Sequence, residues 1–538
     1  MTGRKRVQVS KAGREAVAPP RASALAGSGD HPTRLSWALT DAACAGWMVL
    51  AALLARGFGF IPSVLDPDES LYLLQAREWL RGGWPYVAVW DMHPVGAPAI
   101  IAAGLLAFGE SIASVRLLGA LFVAATGFLL FRITVLARCG RATGLAAGLL
   151  YVAHSVLPGG LATNTEILFA PFVTAGFALA MVAARDLLEE RRVPGPGRFG
   201  SIGLCFGVAL WIKQVAAPEA CMAFLGLTAL AVSKGGMPVP GVFPRALAFA
   251  AGCALPTAAT ALVYSLRGDL PAFLHANFVA PLLYVAKDAD VNAMVVLRIV
   301  LASLLQMAWL LIAAAAAALA LRRHRRVDLH AVLVAATMLW FAGATLGIVL
   351  PGKFYAHYFL LWVPPLSIAA ALGLREVVVR MAPRRPGVAL LGVVAIIASM
   401  PVLDHLALLG RRGVGLRLPD PPRAAAEAVS RLVPPGETAF VVNYEPIIYF
   451  LADLPLPTRM PLWQQLAGDY GGAMGQESDA ELARVLASRP YLLVISQPHW
   501  RKVRRSAQHA IEAALEQGYQ EAGSVQGTEG VVELWRRR

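Results

Sequence analysis

The sequence predicts an all-α polytopic membrane protein that carries an α/β domain at its C-terminal end, and three observations predict it. Of the 538 residues, 57% are hydrophobic and only 15% charged, and the mean hydropathy of +0.58 is far too high for a water-soluble chain of this size. Through positions 36–410, apolar stretches of bilayer-crossing length recur, each needing about 20 residues at helical rise, and short polar loops separate them. Beyond 411 the pattern changes to amphipathic segments and short apolar runs.

The first 35 residues are basic and rich in Ala, Pro, Ser and Gly, which reads as a disordered cytoplasmic tail. The apolar stretch at 36–60 is too long for a signal-peptide core, so it is expected to be an uncleaved first crossing. Excess Lys and Arg on the cytoplasmic side then order the remaining segments. The first crossing leads outward and leaves 61–94 as an external loop. The apolar stretch at 96–108 has about 13 residues, under 20 Å of helix, and is expected to lie at the outer interface. Crossing 112–136 returns to the basic loop Ala137-Arg138-Cys139-Gly140-Arg141, and 142–157 leads out again. Crossing 167–184 descends to an Arg-rich and Pro/Gly-rich loop at 185–198, and 199–212 ascends to Lys213. Segments 220–232 and 246–266 follow, then a polar loop at 267–292. Crossing 293–321 ends at Arg322-Arg323-His324-Arg325-Arg326, the strongest cytoplasmic marker in the chain. The last three are 331–350, 359–374 and 388–409. About eleven crossings result, with the N terminus cytoplasmic and the C-terminal domain outside the cytoplasmic membrane.

Within 411–538, amphipathic stretches at 423–432, 479–487 and 506–517 alternate with short apolar runs at 438–442, 491–495 and 531–535. About 120 residues suffice for an independent core, and the alternation predicts a small α/β domain. The formal charge of +14 raises nucleic acid as a partner, but the basic residues mark loops and tails and form no binding module. The five cysteines have no paired-ligand spacing, so neither disulfides nor a thiolate metal site is expected.

This topology brings the unusual polar residues to one side of the membrane. Asp66, Asp68, Glu69, Asp91, His93, Glu166, Lys213, Lys353 and His357 all fall on the external surface or at outer helix ends. Ionisable groups near apolar segments are costly to desolvate and are usually paired or functional. Any one of them also fits a bland reading as a helix terminator or a snorkelling interface residue. Nine on one side favour a site.

The residues Asp68-Glu69-Ser70-Leu71-Tyr72, the Gly82-Gly83-Trp84-Pro85-Tyr86 turn, Asp91-Met92-His93-Pro94, Phe108-Gly109 and Arg116 occur in an informative order. This order resembles the first external loop of membrane glycosyltransferases of the GT-C fold that use polyprenyl-phosphate-linked sugars, among them protein O-mannosyltransferases and the lipid A aminoarabinose transferase. Thr165-Glu166, Leu210-Trp211-Ile212-Lys213 and Tyr355-Ala356-His357-Tyr358 resemble the same superfamily in the same order, over about 36–410. His93-Pro94-Val95 stands where members often have Lys-Pro-Pro.

The resemblance implies a polyprenyl-phosphate sugar donor, a cell-envelope glycan, lipid or protein acceptor, and inversion at the anomeric carbon. Such a donor is already activated, so the enzyme needs a base for the acceptor hydroxyl and cations for the departing phosphate. Asp68 is the candidate base, Glu69 is expected to orient Asp68 or the local backbone, and Glu166 to supply a second acid. For Glu69 the alternative is an acid at a helix N-terminus favoured by the macrodipole, and Glu166 equally fits a helix cap. Lys213 is expected at the donor phosphate, with His93, Lys353, Tyr355 and His357 completing the anion site; an aromatic belt is the other reading of Tyr355 and His357. A divalent metal on Asp68 and Glu166 is left open, since paired carboxylates suit hard cations. A transporter or lipid flippase would carry its polar groups near the bilayer midplane in paired repeats, and none is evident here. A non-catalytic scaffold would need no convergence of acids, lysines and histidines.

Overall fold

A computed structural model of the protein describes residues 39–157, 159–287, 293–321, 328–411 and 420–538. The N-terminal tail and the basic run at 322–326 lie outside the described residues. The membrane portion comprises α1 (Asp41–Arg56), α2 (Pro67–Leu80), α3 (Gly96–Phe108), α4 (Ile112–Leu136), α5 (Arg141–His154), α6 (Thr165–Glu190), α7 (Pro196–Ile212), α8 (Ala217–Gly235) and α9 (Val242–Arg267). Then come α10 (Leu270–Leu274), α11 (Ala280–Lys287), α12 (Ala293–Gln306), α13 (Ala308–Leu321), α14 (Leu329–Val349), α15 (Val363–Met381) and α16 (Pro386–Arg411).

Each of the eleven expected crossings is helical. Among the described residues, eight helical stretches are long and apolar enough to cross a membrane. The expected crossing at 293–321 is two helices, α12 and α13, bent by 65° at Met307, and it makes a ninth if the pair is one span. The other two, α5 with 14 residues and α7 with 17, reach only about 21 and 26 Å at helical rise. Burial separates centre from periphery. The stretch containing α15 is 78% buried within the protein, whereas that containing α9 is 6% buried and presents its apolar side chains outward.

Between the bundle and the C-terminal domain sits α2, where Asp66 is the N-cap, accepting from the Asp68 N–H at 2.9 Å, and Pro67 starts the first turn. Every residue from Glu69 to Arg77 is buried. A helix this polar is enclosed only because both neighbours cover it.

The C-terminal domain contains α17 (Pro421–Leu432), β1 (Ala439–Val441), α18 (Ile447–Leu451), α19 (Trp463–Leu466), α20 (Tyr470–Ala473), α21 (Ser478–Ala487), β2 (Leu492–Ser496), α22 (Arg505–Gly518), β3 (Tyr519–Gln526) and β4 (Val531–Arg537). The sheet order is β1-β2-β4-β3, with β1 parallel to β2 and the other pairs antiparallel. The three expected strands and three expected amphipathic helices are present, and β3 is an addition. Its pattern of exposed Gln520 and Glu521 around small residues hides the strand in the sequence; in the sheet it pairs with β4, and Tyr519 anchors it in the core.

Side-chain alternation along β1 and β2 gives the sheet two apolar faces, and both reach the membrane domain. Phe440, Leu493 and Ile495 share one cluster with Trp90 and Tyr284, while Val441, Leu492 and Val494 share another with Leu74. Polar contacts lock the same junction. Arg77, 1% exposed, donates to the Tyr449 and Leu454 carbonyls at 2.9 and 3.1 Å. Ser63 donates its N–H and Oγ to Asp420 at 2.6 and 2.8 Å, and the Trp90 N–H donates to the Arg459 carbonyl at 2.7 Å.

Candidate active site

One turn of α2 sends neighbouring acids in different directions, because successive helical residues are rotated by about 100°. Glu69 turns into the bundle. Its Oε1 accepts from the Thr163 N–H at 2.9 Å, and its Oε2 lies 2.7 Å from Arg116 Nη2, an ion pair by distance whose angle falls outside hydrogen-bond geometry. Glu69 therefore braces the loop entering α6 and makes no contact that orients Asp68. Arg56 supports the same loop, donating to the carbonyls of Gly160, Leu161 and Ala162.

Asp68 is half-buried and, among the described residues, its carboxylate makes no hydrogen bond or ion pair. Its burial, with the Asp66 carboxylate beside it, pushes its pKa up to about 6, while His93 and His357 pull the other way. The other acids around it have partners. Asp66 caps α2, accepts from Asn164 Nδ2 at 3.4 Å and lies 4.0 Å from His357 Nδ1. Asp91 Oδ2 is 3.1 Å from His93 Nδ1. Glu166 accepts from Lys213 Nζ at 2.7 Å and from the Thr165 hydroxyl at 3.0 Å.

Lys213 ends α7 in extended backbone, which releases its side chain from the helix toward Glu166 and the face of Tyr358, 4.6 Å away. His93 is brought close by a tight crossing of α3 on α7: a Cβ at Gly96 would overlap the Trp211 carbonyl. Burial lowers the His93 pKa, but the Asp91 carboxylate more than offsets it and leaves the imidazole above its ordinary value. Its ring and that of Tyr72, one turn after Asp68 on α2, form a T-shaped pair with centroids 5.9 Å apart. Tyr86 holds the His93 carbonyl through its hydroxyl at 3.0 Å, from a left-handed backbone conformation with φ of 68°. Phe354, next to Lys353, has φ of 50°. Bulky residues held in that region store strain, and both flank cations of the site.

His93, Lys213 and Lys353 line one cavity of about 530 Å3, together with Gln214, Asn277, Tyr284 and Tyr358 and apolar walls that include Leu282, Val285 and Leu350. Lys353 donates to the Tyr284 carbonyl at 3.0 Å and lies 4.1 Å from that ring. Tyr355 and His357 do not line the cavity. Their rings stack at 5.6 Å, Tyr355 meeting the Tyr284 hydroxyl at 2.6 Å and His357 facing Asp66. Among the described residues no group of three or more His, Cys, Asp or Glu is arranged to hold a metal ion, and Glu166 faces Lys213.

Asp68 and Glu166 do not line the cavity either, although Asp68 interacts electrostatically with His93 and Lys213. An apolar chamber carrying ammonium and imidazole groups suits a lipid with an anionic head. Tyr284, Tyr358, Asn164 and Arg116 are the residues that reading the sequence left without a role, since each belongs to an apolar or loop segment whose partners are distant in the chain. The repeated aromatic positions around Lys353 and His357 were the available signal.

No protein-family model matches the sequence, and no curated protein matches it. Among solved structures, the crystal structure of ArnT from Cupriavidus metallidurans bound to undecaprenyl phosphate is similar over 91% of this chain and 98% of that chain, with a TM-score of 0.59 at 15% identity. The Archaeoglobus fulgidus oligosaccharyltransferase, in complex with zinc and sulfate, matches over 91% of this chain and 72% of that one, with a TM-score of 0.45 at 13% identity. The chain has the ArnT-like GT-C fold.

Proposed function

We propose that this polytopic protein of the GT-C fold is a membrane glycosyltransferase that moves a hexosyl or pentosyl group from a polyprenyl-phosphate donor to a hydroxyl of a cell-envelope glycan, lipid or protein. The observation that carries the reading is the apolar cavity lined by His93, Lys213 and Lys353, with Asp68, whose carboxylate has no partner among the described residues, within electrostatic reach of His93 and Lys213. Asp68 accepts the proton of the acceptor hydroxyl, whose oxygen forms the new bond to the anomeric carbon. The bond from that carbon to the phosphate oxygen breaks, and its electron pair leaves with the phosphate, where the cations stabilise the growing charge. Glu166 holds Lys213 in place for that task, and Tyr355 with His357 supports the rim. Protonated His93, held by Asp91, replaces the lysine common in this position of the superfamily.

In this reading the site opens to the outer face of the cytoplasmic membrane, with 1–35 a cytoplasmic tail, 36–410 the transferase domain and 411–538 an extracytoplasmic domain that helps select the acceptor. Deleting that domain would strip Arg77 of its carbonyl partners, so point substitutions at its surface are the cleaner test of acceptor choice. The function is tested by transfer from a panel of radiolabelled polyprenyl-phosphate sugars in membranes bearing wild type, Asp68→Asn or Lys213→Ala. Transfer by wild type that collapses in both folded variants supports the assignment. Intact wild-type protein that consumes no donor in acceptor-bearing membranes refutes it.

A further inference from the structure

Tyr284 and Lys353 line the proposed donor cavity, and Tyr284 is held from the C-terminal domain as well as from the membrane portion. Tyr284, on α11, is 5% exposed, and its ring and carbonyl together seat the Lys353 ammonium. The Tyr284 hydroxyl meets that of Tyr355 at 2.6 Å. From the opposite side comes Tyr470, the first residue of α20 in the C-terminal domain, whose ring stands edge-on to Tyr284 at 5.7 Å and 68°. Tyr470 also lies close enough to Tyr355 to raise that phenol's pKa. Beside it, Gln476 reaches His275 at 3.4 Å, and α20 packs on α11, so the loop following α19 is seated on the cavity wall and not merely near it. Tyr470 is itself 39% exposed, an uncommon position for a tyrosine that only fills a core.

We propose that Tyr470 is a positioning residue of the donor site: it clamps the Tyr284–Tyr355 hydroxyl pair from the C-terminal domain, and that pair fixes the Lys353 ammonium where the donor phosphate binds. The C-terminal domain is then a working wall of the donor site in addition to any part in acceptor choice. A cation on a flexible four-carbon stem gains most from such a clamp, because its rotamer freedom is lost before the anion arrives. The inference rests on the donor reading proposed above.

The test measures binding of undecaprenyl phosphate to the full-length purified protein, together with kcat and KM for transfer, in wild type, Tyr470→Phe, Tyr470→Ala, Lys353→Ala and the double variant Tyr470→Ala/Lys353→Ala. Tyr470→Ala is expected to weaken binding and raise KM roughly five- to tenfold with a smaller fall in kcat, and Tyr470→Phe to raise KM roughly two- to threefold. The double variant is expected to bind no more weakly than Lys353→Ala, since both substitutions remove the same interaction. Wild-type binding that survives unchanged in Tyr470→Phe and Tyr470→Ala overturns the inference, as do additive losses in the double variant. Should Tyr470→Ala not fold, Tyr470→Phe and its coupling to Lys353→Ala decide the matter. Failure of the wild type to bind undecaprenyl phosphate overturns the donor reading itself, and the inference with it.

Discussion

Asp68→Asn should abolish transfer while making the folded protein more stable, a combination that a structural role for this residue would not produce. The Asp68 carboxyl, ordinarily near 3.8, is held at about 6 in the folded protein by burial and the nearby Asp66. At 1.36 kcal/mol per tenfold change, keeping it ionised at neutral pH costs at most about 3 kcal/mol. Because the folded pKa is the higher one, the folded state binds the extra proton between those two values. Wild-type stability therefore falls as pH rises through that window, and the whole cost is present above about pH 6. Asparagine has the same size and carries no charge, so it escapes the cost. Thermal unfolding in detergent, followed by tryptophan fluorescence, should find the variant more stable than wild type at about pH 7.5, with the gap closing toward about pH 4. Loss of a general base lowers transfer by roughly 10²- to 10⁴-fold. A variant that is less stable at about pH 7.5, or a gap that does not change with pH, would refute the reasoning.

The same titration predicts that kcat/KM declines in acid with a midpoint near 6 in wild type, because only ionised Asp68 accepts the proton; a pH–rate profile flat from about 5 to 7 counts against it. Lys213→Ala leaves Glu166 buried and unpaired, at a cost of about 3–5 kcal/mol, whereas Glu166→Gln/Lys213→Met should recover most of the folded yield without recovering transfer, as size-exclusion profiles and sugar transfer will show. Arg116→Ala should lower the folded yield by a similar margin through the stranded Glu69, and Arg116→Ala/Glu69→Gln should restore much of it. Arg77→Ala should loosen the C-terminal domain, read as faster proteolysis within 420–538, since two backbone carbonyls lose their donor.

The class of the protein, most of its helices and three of the four strands were legible in the chain, because hydropathy over some twenty residues and alternation over five are local properties. The order of acids, histidine and lysines was legible too, as a spacing along the chain. Pairing was not. Asp68 and Glu69 are neighbours in sequence and both look catalytic, yet the Asp68 carboxylate makes no hydrogen bond or ion pair among the described residues while Glu69 braces Thr163 and Arg116, a division set by helix rotation and by what packs on each side of α2. Lys213 and Glu166 each suggest a free charge when read alone, and only the meeting of α6 with the end of α7 makes them a pair. Met307 looks like any apolar residue of a long crossing, but the chain bends there by 65°, and the half that follows packs along α15. The C-terminal segment reads as a separate domain from its composition, whereas Trp90, Tyr284 and Leu74 place its core partly in the membrane domain. Side-chain type and period are written locally, but burial, ion pairing and the shape of a cavity come from contacts between residues hundreds of positions apart, and those exist only once the chain has packed.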